Sequence, residues 1–250
     1  GDKIVDLGNL SVKPLDWPAT ASGLQQQMYE IARTGATPVI LGGDHFITYP
    51  LVQGFSDAIS ERSGGRVGYI QYSSQLDLGD EDPQWGKVWR GATAKRVMDS
   101  GAVSPRNMVW VGTHGYAPQG QMAMVDELDL NVFTLSDIRR DGIEKVTERA
   151  LELAGDGCDA IYVSVDVNVV DGVFVPGMDA PSFRGVRNID LLKAVDILAQ
   201  SKAGALDLVG LNPIIESLGQ NETGERFGSL LVNRYLTPKI EDMDPLAYGT

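Results

Sequence analysis

Cysteine is almost absent from this chain of 250 residues: Cys158 stands alone, so no disulfide can form within it. That excludes a disulfide-stapled secreted scaffold and fits a reducing, cytoplasmic compartment. Cys158 itself reads as a buried thiol acting as a small apolar group. No apolar run is long enough to span a bilayer, and no signal-peptide pattern opens the chain. Basic charge is scarce, with 21 Lys and Arg against 34 Asp and Glu for a net charge of −13. Phosphates and anionic lipids are bound by clustered Lys and Arg, so neither nucleic acid nor a membrane surface is expected as a partner. Repeats, low-complexity tracts and linkers are lacking too. Residues 1–250 therefore read as one domain, and 43% hydrophobic residues suffice to give it a core.

What recurs is a short apolar run, then a polar or glycine-rich turn, then a helix-like stretch. The runs are Pro38–Leu41, Val67–Ile70, Met108–Val111, Ala160–Val163 and Leu206–Val209. Helical stretches are expected over Leu24–Arg33, Ala92–Ser100, Ser136–Leu153 and Asn188–Ser201. Alternating strands and helices predict a three-layer αβα fold around a mostly parallel sheet. In such folds the functional crevice lies beyond the carboxyl ends of the strands. The residues at those ends are Gly42-Gly43-Asp44-His45, Gln71 to Asp80, Gly112-Thr113-His114, Ser164 to Asn168 and Gly210 to Pro213. On a strand, Asp166 and Asn168 would point the same way, and paired carboxylates at that spacing suit a hard divalent cation. His114 is expected in a surface or hydrogen-bonding role. Trp85, Trp89 and Trp110 are expected in packing or at an interface, and Met122 and Met124 on a packed helix face.

Leu41-Gly42-Gly43-Asp44-His45, the segment Gln71 to Asp77, and Ser164-Val165-Asp166-Val167-Asn168 with its Pro-Gly-Gly tail resemble the three signatures of the ureohydrolase family of arginases and agmatinases. The resemblance runs from about Ile4 to Thr237 and implies an arginase-like fold. It also implies that the family's N-terminal segment lies upstream of the abrupt start at Gly1. Working members hold two divalent metals and a bridging hydroxide with six side chains. The matching positions are His45, Ser73, Gln75, Asp77, Asp166 and Asn168. His45, Asp77 and Asp166 keep the family's residue, whereas Ser73 replaces an Asp, Gln75 a His and Asn168 an Asp. A serine hydroxyl cannot bridge two metals, and an amide is a poor substitute for imidazole. On the substrate side, Arg90 stands where the family has a His, and Gly210 where it has a Glu.

The expectation is a non-catalytic subunit of a guanidine-hydrolysing heteromer, with no catalytic residue and no metal of its own. Its partner would be a metal-retaining ureohydrolase paralogue carrying two divalent ions, nickel or manganese, in a trimer or hexamer. Two alternatives remain: a stand-alone hydrolase with one metal or none on His45, Asp77 and Asp166, and a module binding another ligand in the old crevice.

Overall fold

The computed structural model describes residues 4–178, 180–217 and 222–239. Six strands form one sheet: β1 (Val39–Leu41), β2 (Val67–Tyr72), β3 (Met108–Thr113), β4 (Asn131–Thr134), β5 (Ala160–Asp166) and β6 (Ala203–Val209). Their spatial order is β1-β6-β5-β2-β3-β4, and every pairing is parallel. All five apolar runs became strands. β4 was not expected, because Asn131-Val132-Phe133-Thr134 is short and lies half-buried at an edge.

Side chains alternate across the strands and so feed two cores. Ile70, Tyr72, Val109, Val111, Val163 and Val165 pack on one face. Tyr69, Met108, Trp110 and Tyr162 pack on the other. The first face is covered by α5 (Leu135–Asp141), α6 (Ile143–Ala154), α7 (Asn188–Ala199) and α9 (Thr223–Leu236). The second is covered by α1 (Trp17–Ala32), α2 (Thr48–Ser63), α3 (Thr93–Ser100) and part of α4 (Gln119–Glu127). A short α8 (Pro213–Ser217) follows β6. The result is the three-layer αβα architecture.

The helix expected over Ser136–Leu153 is two helices. Gly142 breaks it at φ +86 and ψ 149, a backbone conformation open to glycine alone. Met124 packs on the second core, but Met122 is exposed; a packed role for it is overturned because residues two apart on a helix do not share a face. Trp110 is fully buried, its indole N–H donating to Leu76 O at 2.8 Å. Trp89 lies against Gly79 and Gly91, where a Cβ would come within 2.4 and 2.1 Å of its ring. Cys158 is buried, and burial pushes its thiol up. Among the described residues no helix is long and apolar enough to cross a membrane.

The connections place the site. From β2 the chain winds outward to β3 and β4 beneath α3 and α4, and from β5 it winds the opposite way to β6 beneath α7. Neighbours β2 and β5 thus send their chains apart at their carboxyl ends, and a crevice opens between them.

Candidate functional site

The crevice is lined by Gly43, Asp44 and His45 beyond β1, Gln75, Asp77 and Arg90 beyond β2, Asp166 and Asn168 at the end of β5, and Gly210 beyond β6. Ser73 is buried at its base. All eight positions singled out in the sequence therefore belong to one place. The open cavity is small, about 40 Å³, which is room for a few waters.

Each side chain is aimed by local structure. Asp44 accepts the Phe46 N–H at 2.8 Å and caps a single 3₁₀ turn, which turns His45 inward. Asp77 sits at φ +53, an uncommon conformation that aspartate tolerates better than most residues. Asp166 and Asn168 do not lie side by side on a strand as the spacing suggested. β5 ends at Asp166, and residues 167–169 form a 3₁₀ turn capped by the Asp166 carboxylate through Asn168 N–H at 2.9 Å. The side chain of Asn168 consequently folds back on Asp166.

His45 Nδ1 lies 3.3 Å from Asp77 Oδ2 and 3.2 Å from Asp166 Oδ2. Its Nε2 lies 3.1 Å from Ser164 Oγ. Ser164 donates its own proton to Asp207 Oδ1 at 2.7 Å, so the hydroxyl can only accept from His45. Nδ1 faces two carboxylate oxygens and must donate as well. A proton on both ring nitrogens satisfies all of these contacts, so the surroundings favour the imidazolium form of the buried His45. Burial pulls the imidazole downward, but the hydrogen bonds and charges of Asp166 and Asp77 outweigh it and leave it well above its ordinary value. Burial raises Asp77, whose Oδ2 also accepts Gln71 Nε2 at 2.7 Å.

Asn168 is oriented without ambiguity. Its Oδ1 accepts the Ser74 backbone N–H at 2.8 Å and the Ser73 hydroxyl at 3.1 Å. Its Nδ2 therefore points at Asp166 Oδ2, 2.9 Å away. A metal between those two residues would meet N–H bonds where lone pairs are required. The donor set does not fit a two-metal centre, and among the described residues no group of three or more His, Cys, Asp and Glu is disposed to hold a metal ion. Gly210 adds a further mismatch. It sits at φ +82, and a Cβ there would lie 2.4 Å from Asp166 Oδ1. The Glu implied by the resemblance could not stand here unless Asp166 moved.

Sequence reasoning missed the layer behind the crevice. Asp207 is buried in β6 and accepts Thr48 Oγ1 at 2.8 Å, Tyr162 OH at 2.7 Å and Ser164 Oγ at 2.7 Å. Burial raises its carboxyl. Tyr69 OH donates to Gln71 Oε1 at 2.8 Å, so polar contacts run from Asp207 through Ser164 and His45 to Asp77, Gln71 and Tyr69. The available signal was a charge inside the apolar run Leu206–Val209. His114 bonds to Gly112 O at 2.6 Å and Ser182 Oγ at 2.9 Å, the hydrogen-bonding role expected of it.

The sequence profile of the Arginase family matches residues 2–233. The arginase of Coccidioides immitis is 30% identical over 231 residues, which cover 84% of this chain and 70% of that one. The structure of formimidoylglutamase from Bacillus subtilis superimposes with a TM-score of 0.84 at 23% identity, over 94% of this chain and 71% of that one. Trypanosoma cruzi formiminoglutamase with Mn²⁺ superimposes with a TM-score of 0.82 at 19% identity, over 94% of this chain and 75% of that one. On the extent of these matches, this chain belongs to the arginase family of ureohydrolases.

Proposed function

We propose that this chain is a non-catalytic subunit of a heteromeric guanidine hydrolase, in which a metal-retaining paralogue performs the chemistry. The observation that carries this reading is the Asn168 carboxamide, locked with its N–H bonds toward Asp166, the carboxylate that also faces His45 Nδ1. A group that activates water needs a lone pair or a metal, and His45, Asp77, Asp166 and Asn168 are spent on one another. Assembly surfaces can keep such a chain in service, since a subunit that binds the folded partner stabilises it by mass action. The catalytic partner would carry two divalent ions, nickel or manganese, in a trimeric or hexameric complex in the cytoplasm. Among such assemblies the pattern of replaced ligands is most like the metal-free subunit of metformin hydrolase, which converts metformin and water to guanylurea and dimethylamine.

The test is to isolate the native complex, identify its chains and measure metal per chain. The expected outcome is a paralogue holding two ions and none on this chain. Asp166→Ala in this chain, in preparations where the complex still assembles, should leave its activity intact. Stoichiometric nickel or manganese on the purified chain, with turnover of a guanidine, would establish the stand-alone alternative instead. That second reading draws on the convergence of His45, Asp77 and Asp166.

A further inference from the structure

A second concavity lies at the opposite end of the sheet from the crevice, where α6 ends and the chain enters β5 and β6. It measures about 450 Å³, within the range of small-molecule sites. Leu151 of α6 and Ile161 of β5 form its floor. Gly155, just past the end of α6, keeps that floor bare. A Cβ there would stand 3.5 Å from Ile161 Cδ1 and 2.8 Å from Leu151 O, so any side chain at this position would start over the floor.

The two walls of this groove differ in charge. One is α6, where Glu148 and Glu152 both line the groove; four residues apart, they share one helix face. The other is the turn between α7 and β6, which contributes Lys202. Among the described residues Glu152 pairs with Arg149 at 2.7 Å, and Glu148 with none. The Glu152–Arg149 pair is exposed and therefore weak. Lys202 Nζ donates to Cys158 O at 3.2 Å, which uses one of the three N–H bonds of an ammonium. Like charges one turn apart on a helix repel, and a cation bound beside them relieves that.

A carboxylate wall, an apolar floor and an ammonium wall select one ligand chemistry. A simple amine would leave Lys202 unmatched, and a simple acid would face two carboxylates. An α-amino acid carries both charges at one end, so its body would not lie between the walls. We propose that the groove binds a linear aliphatic zwitterion. Its ammonium faces Glu148 and Glu152, its carboxylate faces Lys202, and its methylenes lie on Leu151 and Ile161. Each methylene taken from water adds to the binding, and the paired ends fix the ligand's direction. The groove shares no residue with the crevice, so the site stands whether or not the chain works in a heteromer.

Titration calorimetry of the purified full chain with ε-aminocaproate tests it, with hexylamine and hexanoate as singly charged probes of the same length. ε-Aminocaproate is expected to bind about fivefold or more tightly than either. Lys202→Glu should weaken ε-aminocaproate by about fivefold and make hexamethylenediamine the tighter ligand, because both walls are then acidic. Glu148→Gln should weaken ε-aminocaproate by about two- to fivefold. Glu148 and Lys202 are exposed, so neither variant should shift the melting temperature. Hexylamine or hexanoate binding as tightly as ε-aminocaproate overturns the proposal. So does binding of none of the probes, or a Lys202→Glu chain that keeps the original preference.

Discussion

At the scale of single residues, His45 separates two buried carboxylates that would otherwise repel each other. Its protonated form supplies one positive charge between them. Removing one member of a buried charge cluster leaves the rest uncompensated, a loss of about 3–5 kcal/mol. His45→Ala should destabilise the chain by that order in urea unfolding, and adding Asp77→Asn and Asp166→Asn should recover much of it. The pH dependence has a definite sign. The folded imidazole titrates well above its ordinary value of 6.5. Its contribution is therefore complete below 6.5 and is lost as pH rises through the higher folded value. Burial also raises Asp77 and Asp207 above 3.8, so their contribution has the same sign but starts to be lost from 3.8 upward, ahead of that of His45. Unfolding measured from neutral to alkaline pH should show stability falling, with a flatter alkaline limb in His45→Ala. That His45, Asp77 and Asp166 share one crevice with Ser73, Gln75 and Asn168 was legible in the sequence. The direction of the Asn168 amide was not, because the backbone N–H that fixes it lies 94 residues away.

Among elements, the break between α5 and α6 is the clearest case where the chain departs from its periodicity. Apolar residues recur on a helical spacing across the break: Leu135 and Ile138 before it, Ile143 and Val146 after it, all packed on one core. Only Gly142, at φ +86, interrupts them. A side chain there would adopt a region nearly closed to L-residues, so Gly142→Ala should cost about 1–3 kcal/mol. In an uninterrupted helix the same change would stabilise by up to about 1 kcal/mol. Thermal unfolding decides between the two by sign alone. A single glycine in a helical pattern is tolerated in many helices, so sequence reasoning ran the helix through it. The five strand runs were legible for the opposite reason: apart from Asp207 in the last, each is apolar on both faces, as suits a strand covered by helices on both sides.

Over the whole molecule, the two cores share one sheet, and β2 and β5 belong to both. Tyr69 and Tyr162 face one core while Ile70 and Val163 face the other. Damage to either core should thus propagate through the central strands. Trp110→Ala removes a fully buried ring and strands the Leu76 carbonyl that accepts its indole N–H. It should cost about 3–5 kcal/mol, with far-ultraviolet and near-ultraviolet circular dichroism melting together. Two separate transitions would mean that the layers fold independently.

By itself, the sequence determined the architecture and the identity of the residues around the crevice. Both are written in local chemistry: apolar runs of strand length, helices between them, and short signatures at the strand ends. The tertiary structure alone decided what those residues do to one another. It set Asn168 Nδ2 toward Asp166, held His45 Nε2 against the Ser164 hydroxyl that bonds Asp207, and placed Gly210 where a Cβ would strike Asp166. Each of these depends on groups far apart in the chain, whose hydrogen-bond directions exist only once β1, β2, β5 and β6 lie side by side.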